Sequence, residues 1–462
     1  MRGKIGFLIS HSDNYYGVEL GLHLKALTDL QQFTDRLSCD VVSYGPIKTG
    51  EEAQQAKAFF DASGIDYLVM FIADFTAGDV MTAFENAAYP IGLWFPKEPY
   101  QDGDIQLNAA VTANMFSSIA QRYYKNKASC DWYYGNIGDA LVKDRLELNL
   151  RVARAKKNVE NATVGVLGDV APTFYNLENN TLEQRFPHMH FVKCDVEDMR
   201  RAVDQLSSEE EAAAYQLITS SGCRIEAEEN SVRNSAKVYA ALKKFVLENK
   251  IDCMASACWP DFQDAFQIVP CVIYTLLGSE LNVPVACEGD IGGAISLLMA
   301  KEVSGSIPTL MDLTSIVPET NSLLLWHCGI GSKALEPETG VKIINHPMLD
   351  RKNPNRKLMG LSYDYYFRPC ELTVLRYSNN GRLLCFECHV ENSNLGYSGT
   401  RGFLNGFTSE GRSFHVNDVV DTIFRNGVEH HLIICPGRIE AALRKLAQWM
   451  GIPAITVERY QM

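Results

Sequence analysis

A multidomain α/β protein, with two Rossmann-like α/β domains followed by a β-rich, barrel-like C-terminal domain, is the fold class this sequence predicts, and three features carry the expectation. At 462 residues the chain is too long for one ordinary core, so two or three domains are expected. Over its first two thirds, short apolar runs alternate with longer amphipathic stretches, the signature of parallel sheets with crossover helices. Beyond about residue 333 the alternation gives way to hairpin-like segments separated by turn residues.

In the first domain, residues 1–160, KIGFLIS, DVVSY, DYLVMFI and PIGLWF read as strands, with VELGLHLKALTDLQQFTDRL and EEAQQAKAFFDASG as helices between them. A long charged helix, roughly Gly138 to Asn161, closes it. The second domain, residues 161–333, takes its strands from TVGVLGD, HFVKCD, IDCMASAC and VPVACEGD. Its helices include SSEEEAAAYQLI, where Ser and early carboxylates cap the first turn, and SVRNSAKVYAALKKFVLENK. In the third, residues 334–462, PETGVKIINHP, KNPNRK and ELTVLRYSNNGRLLCFECHV look like hairpins, with an Asn-Gly turn in RYSNNGRLL. The tail HHLIICPGRIEAALRKLAQWMGIPAITV reads as a strand–helix–strand return.

A formal charge of −13 argues against nucleic acid or an anionic membrane as partner, since both need a basic surface. A small neutral or metal-bound substrate fits better. No segment approaches the roughly 18 uninterrupted apolar residues of a membrane helix. MRGKIGFLISHSDNYYG turns polar after one short apolar run with no cleavage pattern, so a cytosolic protein is expected. Thirteen cysteines, an odd number scattered through apolar runs, read as reduced, buried small hydrophobes.

The chemistry gathers between residues 285 and 330. One apolar strand ends in Glu288-Gly289-Asp290, SIPTLMD ends in Asp312, and SLLLWHCG carries His327. Ligands of open α/β sheets collect at the carboxyl ends of strands, so these groups could converge on one point. Asp290 by itself reads first as a helix N-cap. A later pair, His430-His431, completes the set; within a strand, adjacent side chains face opposite sides, so at most one of the two faces a given site. Carboxylates with imidazoles suit Mn²⁺ or another divalent cation such as Mg²⁺ or Co²⁺, held by Glu288, Asp312, His430 and optionally His327.

ACEGDIGGAISLLM, followed by MDLTS and then EHHLIICPG, resembles the L-fucose isomerase and L-arabinose isomerase superfamily. L-fucose isomerases place an Asp 24 positions after a strand-end Glu in an E-x-D tripeptide, and 312 − 288 = 24 here. L-arabinose isomerases add a histidine from the next strand, which His327 would supply. The late histidine ligand of both families aligns with His430, His431 being the alternate. The resemblance implies a divalent-metal aldose–ketose isomerase working through an enediol, with Glu288 and Asp312 dividing the two proton transfers. It also implies a homo-oligomer, often a hexamer, in which His11, Tyr16 or Asp74 of a neighbour reaches the pocket. The sugar is expected to differ from fucose or arabinose, because little outside these motifs matches either family.

Substrate contacts are expected from Trp259 and Trp94, aromatic rings suited to the apolar face of a sugar, and from whichever of His430 and His431 is not a ligand. GYSGTRGFLNGFTSEGR looks like a further hairpin with a flexible loop, and Arg401 and Arg412 make it the first place to seek an anionic substituent. CFECH matches a haem-attachment pattern but lies in a strand-like run without an export signal, so haem is not expected. VGVLGD lacks the dinucleotide fingerprint and no phosphate-binding P-loop is present. Two alternatives share parts of this pattern: a non-catalytic sugar sensor with two α/β lobes, and a metal-dependent sugar aldolase or lyase.

Overall fold

The computed structural model describes residues 3–37, 39–100, 103–124, 130–179, 181–349, 359–391 and 396–459; the expected KNPNRK turn lies outside them. The chain forms two compact units, Met1–Lys157 with Gln448–Gly451, and Asn158–Ala447 with Ile452–Met462.

The first unit contains strands β1 (Gly3–Ser10), β2 (Cys39–Ile47), β3 (Tyr67–Ile72), β4 (Ile91–Phe95) and β5 (Asp131–Tyr134). They run parallel in the order β2-β1-β3-β4-β5. β3, YLVMFI, is buried throughout, as a central parallel strand covered on both faces must be. The helix Gly50–Ser63 opens on a Thr49–Glu52 capping box and stops at Gly64. The charged segment is the helix Ala140–Glu160.

The second unit begins with β6 (Thr163–Leu167), β7 (His190–Cys194), β8 (Arg224–Ile225), β9 (Cys253–Ser256) and β10 (Val285–Ala286). All but β8 form a parallel sheet, β10-β9-β6-β7. SSEEE starts a helix, Ser208–Thr219, whose Ser207 and Glu210 form a capping box. There follow β11 (Thr309–Val317), β12 (Ser322–His327), β13 (Lys342–Ile344), β14 (Ser362–Tyr366), β15 (Cys370–Tyr377), β16 (Leu383–Val390), β17 (Thr400–Ser409), β18 (Arg412–Ser413), β19 (His431–Pro436) and β20 (Ala454–Ile455). Along β16-β15-β19-β11-β12-β17 each strand pairs with the next, and β17 pairs back with β16, closing a barrel. The helix Ile291–Ser304, buried almost throughout, packs on β9, β15 and β19 and so ties the parallel sheet to the barrel.

Two sequence readings change. β11 and β12, which the sequence groups with the second α/β region, are barrel strands forming an antiparallel hairpin around Pro318–Thr320. A parallel crossover needs a dozen or more residues, and the segment 318–321 is far too short for one. The glycine-rich GYSGTRGFLNGFTSEGR does turn back as a hairpin, β17 pairing with β18, but most of it is strand β17 and the expected flexible loop shrinks to the turn at Glu410-Gly411. A Cβ on Gly402 would stand 2.5 Å from the Phe367 ring, so this glycine serves close packing inside the sheet.

Candidate active site

β10 is short, and the chain leaves it through Cys287 into a tight turn at the carboxyl end of the parallel sheet. Glu288 sits at φ 60° and Gly289 at φ 72°, the left-handed region. A glutamate held there is uncommon and costs roughly 1–2 kcal/mol. Backbone bonds fix the turn: Gly289 N–H donates to Ser256 O (3.1 Å), and Glu288 O accepts from Ala171 N–H (3.0 Å). A Cβ on Gly289 would meet Asp169 O at 2.7 Å and Val170 Cα at 2.8 Å, both backbone. Gly289→Ala is therefore expected to lower stability by roughly 1–2 kcal/mol and to shift Glu288, so that thermal melting and turnover fall together.

The turn aims the Glu288 carboxylate at both late histidines. Its Oε2 lies 3.2 Å from His430 Nε2 and 3.3 Å from His431 Nε2. The rule that only one of an adjacent pair can face a site does not apply, because β19 starts at His431 and His430 precedes it. Trp259 Nε1 points at Glu288 Oε1 from 3.4 Å. Phe174 packs edge-on against both Trp259 and His430.

Asp312 stands inside β11 rather than at its end, and the register pairs it with His431 across β19. Directly paired residues of antiparallel strands share a face. The result is a separation of 3.8 Å between Asp312 Oδ1 and His431 Nε2.

Behind His431 lies a buried ionic network. Asp290 does cap the helix Ile291–Ser304, accepting from Gly293 N–H (2.8 Å), but its other oxygen also takes His431 Nδ1 at 2.8 Å. Arg376, fully buried on β15, grips Asp290 with both guanidinium nitrogens (2.5 and 2.9 Å) and Glu429 Oε2 with Nε (3.1 Å). Gly292 and Gly293 make room for it, since a Cβ on either would come within 3.1 or 3.0 Å of that guanidinium.

These contacts set the charges. Burial works against the Glu288 anion, yet His430 and His431 outweigh it and hold the carboxyl at about 2. Burial also opposes the Asp290 charge, but Arg376 and His431 keep it well below the usual carboxylate range. Burial disfavours the His431 cation too, and Asp290 and Glu288 reverse the balance, raising it to about 10. Burial raises Asp312 against the pull of His431 and His430, and the 32% exposure of its side chain moderates that rise.

Glu288, His430 and His431 offer donor atoms that all lie within 4.8 Å of one another. The set is hard oxygen and imidazole nitrogen, which suits Mn²⁺, Mg²⁺ or Co²⁺. A carboxylate behind the distal nitrogen of a ligating histidine is the usual arrangement around metals, and Asp290 provides it for His431. A flip of the Asn176 amide, now 3.1 Å from His430 Nδ1, would free His430 Nε2 in the same way. The residues fit a divalent cation. Asp290→Asn is expected to weaken Mn²⁺ binding about 10- to 100-fold, measurable by calorimetric titration of the metal-free protein.

His327 turns elsewhere. Its Nε2 faces Cys287 Sγ (3.2 Å) and its Nδ1 faces Cys328 Sγ (3.6 Å), while burial lowers its pKa to about 3. A cavity of about 200 Å³ opens beside Glu288, lined among others by Trp259, Cys287, His327 and His346. Arg401 on β17 is engaged by Asp364 (2.8 Å) and Gly399 O (2.6 Å), and Arg412 lies on exposed β18. In the first unit, Trp94 is buried with its Nε1 donating to Gly135 O, and His11 is buried with an unpartnered Nδ1. Asp74 there accepts from the Ser12 and Gly17 amides, and burial raises it to about 6; Tyr16 is exposed. Arg376, Glu429, Asn176 and Phe174 were not foreseen. Only Arg376 left a trace, as a cation inside the apolar run ELTVLRYS, where a buried charge demands partners.

No family model matches the chain. Sulfoquinovose isomerases do: that of Alkalicoccus urumqiensis is 26% identical over 410 residues, covering 85% of this chain and 86% of the relative. That of Priestia aryabhattai is 24% identical over 425 residues, covering 90% and 91%, and that of Clostridium sp. (strain MSTE9) 24% over 403 residues, covering 81% and 84%. The arabinose-binding periplasmic component from Shewanella sp. ANA-3 superposes with a TM-score of only 0.18 at 10% identity over 55% of this chain and 73% of that one, which carries no argument. With relatives of this kind along most of its length, the chain is a sugar isomerase. In chemical terms it is an aldose–ketose intramolecular oxidoreductase.

Proposed function

We propose that this isomerase converts a modified aldohexose, sulfoquinovose being the first to try, into its ketose with a divalent cation, as a divergent relative of the L-fucose and L-arabinose isomerases. The observation that carries the site is the meeting of Glu288 with His430 and His431, the latter oriented by Asp290 and beside Asp312. The geometry supports His431, not His327, as the further histidine of the set. Thirteen free cysteines suit a reducing compartment, in keeping with a cytosolic enzyme.

A cation held by Glu288, Asp312, His430 and His431 would lower the pKa of a substrate hydroxyl and stabilise negative charge on adjacent oxygens. The chain's own carboxylates then divide the proton traffic, since their environments push them apart. Asp312, whose nearest histidine contact is His431 at 3.8 Å, is the looser of the two carboxylates and the acceptor for a carbon-bound proton, which it returns to the neighbouring carbon. Glu288, held ionised, accepts a hydrogen bond from the C2 hydroxyl and relays that proton to the C1 oxygen, so that the hydroxyl proton lost at C2 is regained at C1 and the carboxylate is restored. Trp259 offers a ring against the sugar and its N–H keeps Glu288 in place.

The test is a panel of aldoses, sulfoquinovose among them, incubated with Mn²⁺, Mg²⁺ or Co²⁺ and scored for a ketose of unchanged mass. One aldose is expected to turn over only with metal. Tight sugar binding with no ketose from any member would contradict the reading, and fragments of lower mass would point to a lyase.

A further inference from the structure

Four of the thirteen cysteines, Cys258, Cys271, Cys287 and Cys328, line the same cavity as Glu288, and the proposed isomerisation uses none of them. Cys271 opens the helix Cys271–Leu281, and Cys328 follows β12 directly. Their sulfurs stand 3.7 Å apart, and Cys328 Sγ is 3.6 Å from His327 Nδ1. The donor atoms of the three residues all lie within 4.8 Å of one another.

We propose that Cys271, Cys328 and His327 Nδ1 form a second cation site in the cavity wall, selective for a thiophilic ion such as Zn²⁺, whose occupancy inhibits the enzyme. The inhibitory half rests on the isomerase reading; the site itself does not.

Tetrahedral zinc, with Zn–S near 2.3 Å and Zn–N near 2.0–2.1 Å, spaces its sulfurs about 3.8 Å apart and its sulfur and nitrogen about 3.6 Å apart. Two of the three pairs, Cys271 Sγ with Cys328 Sγ and Cys328 Sγ with His327 Nδ1, are already at those separations, and the third lies within 4.8 Å. His327 presents the right atom in the tautomer with Nε2–H toward Cys287, which leaves the lone pair on Nδ1, where the Gly329 and Ile330 amides also call for an acceptor. The Gly329 and Ile330 amides approach that nitrogen only at 3.4 and 3.3 Å, long contacts that a metal bond replaces. Binding releases both thiol protons to solvent, so a dication meets two thiolates and the site stays neutral without any redox step. Donor softness separates the two sites: carboxylates and imidazoles at Glu288 suit Mn²⁺, and thiolates suit Zn²⁺. Three protein donors leave a fourth position for water, the open form of a zinc site.

The full-length, metal-free protein, kept reduced with a phosphine, is titrated with Co²⁺ alone. Thiolate-to-Co²⁺ charge transfer absorbs in the near ultraviolet, whereas Co²⁺ on carboxylates and imidazoles does not. The absorption is expected in the wild type and in Glu288→Gln, and one equivalent of Zn²⁺ should remove it. It should vanish in the double variant Cys271→Ser/Cys328→Ser, and each single variant should lose about half of it or more. No such absorption in the wild type, or its persistence in variants that retain native circular dichroism, overturns the site. With Mn²⁺ present, added Zn²⁺ should lower turnover about ten-fold or more, and Cys271→Ser should restore it. Equal inhibition in that variant would overturn the inhibitory role even with the cobalt signal intact, and a protein with no isomerase activity would still show the cobalt signal.

Discussion

Glu288→Gln is expected to lower kcat by about 100- to 10,000-fold while leaving the fold in place. The amide keeps the side chain's shape and one acceptor, but loses the charge that His430 and His431 face at 3.2 and 3.3 Å. It can neither serve as a proton acceptor nor hold a cation as an anion does. The variant also carries a pH signature in the metal-free protein. The Glu288 carboxyl, held at about 2 against an ordinary 4.5, contributes stability above pH 4.5 that fades as pH falls toward 2. His431, raised to about 10 against an ordinary 6.5, contributes stability below pH 6.5 that fades as pH rises toward 10. The melting-temperature gap between wild type and Glu288→Gln should therefore be widest between pH 4.5 and 6.5 and narrow on both sides. A gap that is flat with pH, or near-normal turnover, contradicts the pairing.

Arg376→Met should have the largest effect on stability, about 3–5 kcal/mol. Methionine matches the buried volume but supplies no charge, leaving Asp290 and Glu429 as two buried carboxylates. Glu429 retains the Ser378 hydroxyl (3.0 Å) and the Asn379 amide (2.8 Å), whereas Asp290 keeps only its helix cap and His431. Asp290 then tends to take a proton, which releases the orientation of His431. Chemical denaturation should show the stability loss, and Mn²⁺ affinity should fall about 10- to 100-fold in the same variant. A loss below about 1 kcal/mol would mean that solvent reaches the network.

Much of the second unit was legible because local chemistry and tertiary structure agree. SSEEE is a capping box at a helix start, SNNGR is the turn between β15 and β16, and the run before Glu288 is a parallel strand ending at the site. Asp290 was legible only in part. Its cap to Gly293 is a local bond, but its bond to His431 spans 141 residues, a distance no sequence window covers. The joint approach of His430 and His431 was misread because the strand boundary falls between them, and element ends are where periodicity says least. The β11–β12 hairpin left a usable sign in the Pro-Glu-Thr-Asn spacing, too short for a crossover helix. The glycines of β17 suggested a loop because nothing local reveals that Phe367 needs the space above Gly402.

The central claim is that Asp312 carries a proton between neighbouring carbons of an aldose while Glu288 handles the hydroxyl proton. It is tested most directly by proton NMR of the turnover reaction run in D₂O, using the aldose that the panel identifies. Deuterium is predicted at the carbon beside the ketose carbonyl or at C2 of recovered aldose, with incorporation and ketose formation both lost in Asp312→Asn. A ketose whose hydrogen has crossed without solvent deuterium, formed equally well by Asp312→Asn, would contradict it.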